Sequence, residues 1–301
     1  MPTGRSMIRG AFEPLKEQVR RRAEQWTNSV HGQPLPVPIQ ELARAIRIRG
    51  LVFRPLLSTA ALKRAGDGYL IVLNPLADRT PSIELVEVPP DRWSTFKGSL
   101  RFSIAHEMVH VMFYEAVGGE IDADLFTRHW KALETACNEI ASALLLPKRR
   151  LLAEVGQQDL DIPTVRSLVK LFGVSTESFL RRLQQDDMRR ESAPLDGFLT
   201  VVRKDGKELR LVAPYIRGDR GTGRFRVQDG AGFHELGLPE AIEGALREGA
   251  EIDQKVKTRW RDDEFIECQV ISCRISEGPL RFLVSLRVVA GPEKYNLSES
   301  I

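Results

Sequence analysis

Cysteine is scarce in this sequence, with three residues among 301. The number is odd, and Cys137, Cys268 and Cys273 show no paired spacing, which excludes a disulfide-built secreted domain and favours a reducing compartment. Long apolar runs are also missing. None is long enough to span a bilayer, and none of signal-peptide length follows Arg5 and Arg9. We therefore expect a soluble, cytoplasmic protein without a membrane partner.

A dominant charge of one sign is absent as well. The 44 Lys and Arg residues nearly balance the 41 Asp and Glu residues, so the formal net charge is +3. This balance excludes a chain that binds nucleic acid through its overall charge, although a local basic patch stays open. We interpret the basic run Arg20-Arg21-Arg22 as a solvated helix face. With 42% hydrophobic residues, the chain is long enough for more than one core.

Helical and strand-like patterns alternate in the first half of the chain. Helices are predicted over residues 11–30, 39–46, 101–116 and 130–146. Short strands are predicted over residues 51–57, 69–73 and 83–88. Pro147 then enforces a stop or a kink. We predict that residues 1–150 form one domain.

A pair of short helices follows, over residues 162–172 and 176–183. Gly173 suits the C-terminal cap of the first and Ser175 the N-cap of the second. The segment 151–185 therefore resembles a helix-turn-helix. Its second helix carries Glu177 near its start, which disfavours contact with phosphates, so we expect structural or substrate-docking use rather than direct DNA binding.

The last third of the chain is rich in strand-like runs. A polar segment over residues 184–194 is interpreted as a linker. Strands are predicted over residues 198–202, 209–212, 225–227, 265–271 and 280–289, with one helix over 239–247. Asp205-Gly206 suits a hairpin turn. We predict a separate β-rich α+β domain over residues 195–301, and hence an α+β chain.

The strongest chemical signal is His106-Glu107-Met108-Val109-His110, which lies inside a predicted helix. Residues four apart share a helix face, so both imidazoles can reach one cation from one side. Zn²⁺ favours such nitrogen ligands, and Glu107 lies beside them, where it can take a proton from a water molecule. The opposing interpretation is that two histidines merely complete a helix surface. A core helix rarely carries two histidines and a glutamate without partners, so we favour the metal site.

A catalytic zinc needs a third protein ligand and one open position. The downstream candidates are Glu115, Glu120, Asp122, Asp124, His129, Glu134 and Glu139. Glu134 shares a helix face with the small residues Cys137 and Ala141, which allows close approach to the first helix. A carboxylate buried there needs a positive charge, which zinc supplies. Glu139 groups with polar residues and is expected in solvent, whereas His129 is the main rival as third ligand.

These residues also match a known family pattern. The block Arg-Phe-Ser-Ile-Ala-His106-Glu107-Met-Val-His110, followed by Glu134-x-x-Cys137-Asn138-x-Ile-Ala-x-x-Leu-Leu-Leu-Pro, resembles the ImmA/IrrE family of metallopeptidases. The strand-like segment before the first helix and the helix pair after the second are similar too, so the resemblance covers about residues 30–185. The sequence departs from the family pattern at Cys137, where alanine is usual, and at Ile140, where phenylalanine is frequent.

The resemblance implies a thermolysin-like minimal metallopeptidase domain, with a small antiparallel sheet and helices. It implies zinc ligands His106, His110 and Glu134, and Glu107 as the base. It further implies an endopeptidase that cleaves a helix-turn-helix transcriptional repressor, often in stress response or mobile-element control. A looser parallel makes the C-terminal domain sensor-like or a recognition domain. A site with two histidines and one carboxylate admits Mn²⁺ as well as Zn²⁺.

Each of three features near the predicted site has two interpretations. The strand 69–73 either holds a substrate segment by strand addition or is an ordinary supporting strand. Tyr114 either stabilises an oxyanion or packs in the core, and Asn138 either orients a metal ligand or contacts solvent.

The activity itself has an alternative from another class, a non-catalytic zinc-bearing transcription regulator or sensor module. We favour the enzyme because a purely structural zinc site does not need Glu107 and would require a fourth protein ligand.

Overall fold

The computed structural model describes residues 4–30, 32–58, 60–74, 87–96, 98–118, 128–155, 160–185, 188, 197–205, 208–217, 230–236, 238–261, 264–275 and 281–294. The chain divides into two compact units. The first contains residues 1–151 and 170–175, and the second contains residues 152–169 and 176–301. Both helices and strands occur in each unit, which confirms the predicted α+β class.

In its described residues, the first unit contains four α-helices before Pro147 and one short 3₁₀ helix. They are α1 (Gly4–Ser29), α2 (Ile39–Ala45), the 3₁₀ helix (Pro90–Thr95), α3 (Gly98–Ala116) and α4 (Trp130–Leu145). After Pro147 comes α5 (Lys148–Val155), which the sequence patterns did not predict. A proline immediately before a helix is compatible with it, because the first residues of a helix have no intrahelical partner for the N–H group that proline lacks.

The small sheet of the first unit is mixed rather than antiparallel, which corrects the prediction. Its strands are β1 (Ile48–Phe53), β2 (Ala60–Ala65) and β3 (Gly68–Leu73), in the order β1-β3-β2. The two-residue turn at Gly66 and Asp67, with φ +64 at Gly66, makes β2 and β3 an antiparallel hairpin. Because β1 and β3 are separated by two chain reversals and lie side by side, they run parallel. The predicted strand over residues 83–88 lies mostly outside the described residues, although Val88 forms an antiparallel bridge with Leu51.

Helix α3 forms the centre of the first unit. It packs against α1, α4 and strands β2 and β3, and apolar residues are buried on several of its sides: Ile104, Ala105, Met108, Val109, Val111, Met112 and Phe113. A helix that is apolar nearly all round belongs inside a domain rather than on its surface. Arg101 is also buried, and its Nη2 donates to the carbonyl of Val37 over 2.6 Å. These contacts fix the position from which the histidines of α3 project.

The helix pair consists of α6 (Ile162–Phe172) and α7 (Thr176–Gln184). Gly173, at φ +64, ends α6 in the left-handed conformation that glycine adopts without strain, which confirms the predicted cap. Within the second unit, α7 packs against β4 (Gly197–Asp205) and β5 (Glu208–Arg217).

The second unit is built around a five-stranded antiparallel sheet in the order β5-β4-β8-β7-β6. Its remaining strands are β6 (Asp253–Arg261), β7 (Glu264–Arg274) and β8 (Arg281–Lys294), and α8 spans Glu240–Glu248. A short 3₁₀ helix (Phe233–Leu236) and α8 cover one core, which includes Val202, Leu211, Leu246, Val270, Phe282 and Val284. The predicted strand over residues 225–227 lies outside the described residues. No helix that the structure describes is long and apolar enough to cross a membrane.

Candidate metal centre

Two helices bring three potential metal ligands together. His106 and His110 lie one turn apart on α3, and Glu134 faces them from α4. The Nε2 atoms of the histidines are 3.1 Å apart. Glu134 reaches each ring with one carboxylate oxygen, Oε2 at 3.3 Å from His106 Nε2 and Oε1 at 3.1 Å from His110 Nε2. The structure thus assembles the ligand set that the sequence predicted.

The spacing of these atoms fits a tetrahedral cation. Ligand atoms about 2.0–2.1 Å from a tetrahedral zinc are about 3.3–3.4 Å from one another. The three contacts between His106, His110 and Glu134, at 3.1–3.3 Å, come close to that value. Two nitrogens and a carboxylate are also a donor set that zinc accepts in catalytic sites. Among the described residues the cluster offers three ligand groups, which leaves a fourth position for water or substrate.

Burial favours the neutral form of both imidazoles, which is the form that binds a metal. Burial lowers the pKa of His106, although Glu134 and Asn138 act in the opposite direction. Burial and the neighbouring His106 lower the pKa of His110 to about 3. A cation between the two rings and Glu134 would give all three groups a common partner.

Asn138 holds His106 from the side opposite the cluster. Its Oδ1 lies 3.0 Å from His106 Nδ1, one turn after Glu134 on α4. A hydrogen bond from Nδ1 to this oxygen leaves Nε2 free to bind a metal and fixes the orientation of the ring. Of the two interpretations of Asn138, orientation of a ligand is the one that the structure supports.

Glu107 is buried at the edge of the cluster, with 7% of its surface exposed. Burial and the negative charge of Glu134 raise the pKa of its carboxyl group to about 7. A cation held by His106, His110 and Glu134 would oppose both effects, because a nearby positive charge favours the carboxylate. The group is therefore placed to exchange a proton near neutral pH.

Aromatic side chains surround the two histidines. Phe102 lies one turn before His106, with ring centroids 6.4 Å apart. Tyr114 lies one turn after His110, with ring centroids 6.3 Å apart and ring planes inclined by 28°. Tyr114 is half-buried, and burial raises the pKa of its hydroxyl, helped by the charges of Glu107 and Glu134, so its ring borders the centre as well as the helix core. Trp130 of α4, which the sequence analysis overlooked, also lies beside His110. The sequence feature that could have indicated this position is its four-residue spacing from Glu134, which places both residues on one face of α4.

The rival ligands lie elsewhere. His129 is not part of the cluster and stacks on Phe12, with ring centroids 5.5 Å apart. Glu139 is paired with Lys16 over 2.8 Å, which confirms its expected place at the surface. Glu115 is paired with Arg22 over 2.7 Å. The candidates Glu120, Asp122 and Asp124 lie outside the described residues.

Strand β3 does not offer an edge to a substrate, which corrects one of the two interpretations of residues 69–73. Both of its edges are occupied, one by β1 and the other by β2. It is therefore a supporting strand, as the other interpretation held. Within the described part of the sheet, β2 pairs on one side and packs against α3.

Helix α7 is a poor candidate for a DNA-reading helix. Ser178, Phe179, Leu180 and Leu183 are buried, in a helix that packs on β4 and β5. Arg182, one of the residues that a recognition helix would present, is 2% exposed and donates to Gln185 Oε1 over 2.6 Å. The geometry agrees with the expectation that this helix does not contact DNA directly.

Comparison with known proteins supports the family resemblance. No curated protein sequence matches the chain. A solved structure described as a Mycobacterium tuberculosis transcriptional regulator is 19% identical, with 93% of this chain and 79% of that chain covered and a TM-score of 0.47. Residues 97–184, which include His106, His110 and Glu134, match the family model of the M78 peptidases, described as an IrrE N-terminal-like domain. The predicted resemblance is confirmed over this segment, because residues 97–184 match the model of the IrrE N-terminal-like domain.

Proposed function

We propose that this chain is a zinc-dependent endopeptidase that hydrolyses a peptide bond in a regulatory protein, a helix-turn-helix transcriptional repressor. The observation that carries the proposal is the convergence of His106, His110 and Glu134 beside the buried Glu107. All four lie in the segment that matches a peptidase family. The choice of a repressor as substrate rests on the resemblance to the ImmA/IrrE metallopeptidases.

Each residue has a defined task in this proposal. His106, His110 and Glu134 would hold the metal ion, and Asn138 would keep His106 in the binding orientation. When bound, zinc polarises the scissile carbonyl and lowers the pKa of a water molecule to about 7. Glu107 accepts a proton from the attacking water and passes it to the leaving amine. Burial and the charge of Glu134 raise the pKa of the carboxyl group, whereas a bound cation would lower it, and these opposing effects support a group that both accepts and releases the proton.

The peptide would approach along the small sheet. Strand β2 is the candidate for pairing with an extended substrate, because its outer edge carries no partner among the described residues. Strand addition supplies backbone hydrogen bonds that hold a peptide in register without demanding a particular sequence. The packing of β2 against α3 places that edge next to the helix that carries Glu107.

The test compares zinc-loaded parent protein with Glu107→Gln on purified helix-turn-helix repressors from the same organism. We expect the parent to shorten one of them at a single position and the variant to bind zinc but leave the repressor intact. Glu115→Gln is the matched control, because Glu115 lies on the same helix but pairs with Arg22. Equal cleavage by Glu107→Gln and the parent would exclude the proposed base. A repressor that is bound but not cleaved by the parent would favour the zinc-bearing regulator instead.

A further inference from the structure

Trp130 is an exposed aromatic residue at the first position of α4. Of its surface 56% is exposed, and the other exposed large hydrophobic residues of the described chain are Leu57 and Leu171. A single exposed hydrophobic residue needs no explanation by itself. The exposure of Trp130 is relevant to function because the indole lies beside the proposed metal ligand His110. The ring centroids are 6.1 Å apart and the ring planes are inclined by 17°.

The indole shares a helix face with a proposed metal ligand. Trp130 and Glu134 are four residues apart on α4, so both side chains project toward α3. Glu134 Oε1 lies 3.1 Å from His110 Nε2, on the same histidine that Trp130 borders. Tyr114 of α3 borders His110 as well, with ring centroids 6.3 Å apart. One side of the centre is therefore lined by two aromatic rings, one of which is open to solvent.

A peptide held for hydrolysis must bring the side chains next to its scissile bond close to these rings. An apolar or aromatic side chain that covers the indole would remove apolar surface of both partners from water. A carboxylate side chain would lose hydration there without gaining a favourable partner in either ring, because the faces of aromatic rings carry partial negative charge. We propose that Trp130 is a specificity-determining residue, which contacts an apolar or aromatic side chain flanking the scissile bond. This inference rests on the proposed peptidase function.

A purely structural use of Trp130 would be to pack against His110 and hold the ring for the metal. Loss of the indole would then weaken the binding of the metal, and it would lower the affinity of all compounds that bind to the metal by the same factor. A subsite makes a different prediction, since only ligands with a side chain that reaches the indole would suffer. Two probes that differ in that side chain separate the two roles.

The experiment measures the binding of two hydroxamates to the zinc-loaded full chain by calorimetry. Acetohydroxamate and 3-phenylpropionohydroxamate carry the same zinc-binding group, and the second adds a benzyl group. We expect the parent to bind the phenyl compound more tightly and Trp130→Ala to lose about tenfold or more of that affinity. Binding of acetohydroxamate and zinc content should stay unchanged in Trp130→Ala. Trp130→Phe should retain most of the preference, and Leu171→Ala serves as a control at another exposed hydrophobic residue.

The outcomes distinguish this inference from the function on which it rests. The parent could bind both probes while Trp130→Ala lowers the affinity for both equally, or changes neither affinity. The proposed subsite is then wrong, but the proposed metal site is not contradicted. If zinc content falls in Trp130→Ala, the residue holds His110 and the subsite is likewise wrong. If the zinc-loaded parent binds neither probe, the open coordination position is wrong, and the inference falls with the proposed function.

Discussion

Hydrogen bonding of a single side chain decides how well His106 is prepared for a metal. Asn138 Oδ1 lies 3.0 Å from His106 Nδ1, and loss of such a partner typically weakens metal binding about 10–100-fold. We therefore expect Asn138→Ala to lower zinc affinity by that order, while Asn138→Asp, which keeps an acceptor oxygen, stays within a few-fold of the parent. Competition with a chromogenic chelator measures both variants. Equal affinities for Asn138→Ala and the parent would contradict the orienting role.

The sequence alone predicted that His106, His110 and Glu134 lie together. The four-residue spacing of His106 and His110 and the small face around Glu134 were sufficient, because helix geometry converts spacing directly into proximity. Trp130 was not foreseen beside the centre, although it is four residues from Glu134, because an aromatic residue at a helix start does not by itself indicate a site. Its position beside His110 depends on the packing angle between α3 and α4, which no local pattern contains.

Helix α7 shows how the surroundings of an element decide its use. Arg182→Ala removes a buried guanidinium that donates to Gln185, and we expect a loss of about 1–3 kcal/mol in the free energy of unfolding. Arg181→Ala is the matched control, because Arg181 is exposed and pairs with Glu177 on the helix surface; its effect should stay within about 0.5 kcal/mol. Chemical denaturation of both variants tests this. Equal destabilisation by the two substitutions, or none by Arg182→Ala, would contradict the buried placement of Arg182.

The predicted elements were those with clear periodicity, and the missed ones lack it. Strand β2 reads Ala-Ala-Leu-Lys-Arg-Ala, whose residues favour helix over strand. It becomes a strand because the turn at Gly66 pairs it with β3. Strand β6 carries several basic residues and gains its structure from pairing with β7. Tertiary pairing overrides local preference in both cases, and the parallel contact of β1 with β3 likewise depends on the arrangement of the whole sheet.

For the whole molecule, metal binding and folding should be coupled. Ligands held between α3 and α4 bind zinc only in the folded state, so saturating zinc stabilises that state, by about 4 kcal/mol at a thousandfold excess over the dissociation constant. We expect calorimetry of the full chain to show a transition that a chelator moves to lower temperature. In Glu134→Gln the chelator should have little effect. A transition temperature of the parent that does not change when the chelator is added would contradict the coupling.

The two compact units separate the proposed ligands from the large sheet. The proposed ligands lie within residues 1–151, and the five-stranded sheet lies within the second unit. We therefore propose that the first unit performs the chemistry and that the region over residues 195–301 serves recognition or sensing. This assignment retains the predicted domains, with the proposed metal centre in residues 1–150, the helix pair in 151–185 and the recognition or sensing region in 195–301.

We propose that His106, His110 and Glu134 hold one zinc ion. The first test is the metal content of the parent, Glu134→Gln and Glu139→Gln, each purified without added metal and analysed by mass spectrometry. The two variants remove carboxylates from the same helix, but Glu139 pairs with Lys16 outside the cluster. We expect about one zinc per chain in the parent and in Glu139→Gln, and far less in Glu134→Gln. Full zinc content in Glu134→Gln would exclude Glu134 as a ligand and place the third ligand elsewhere.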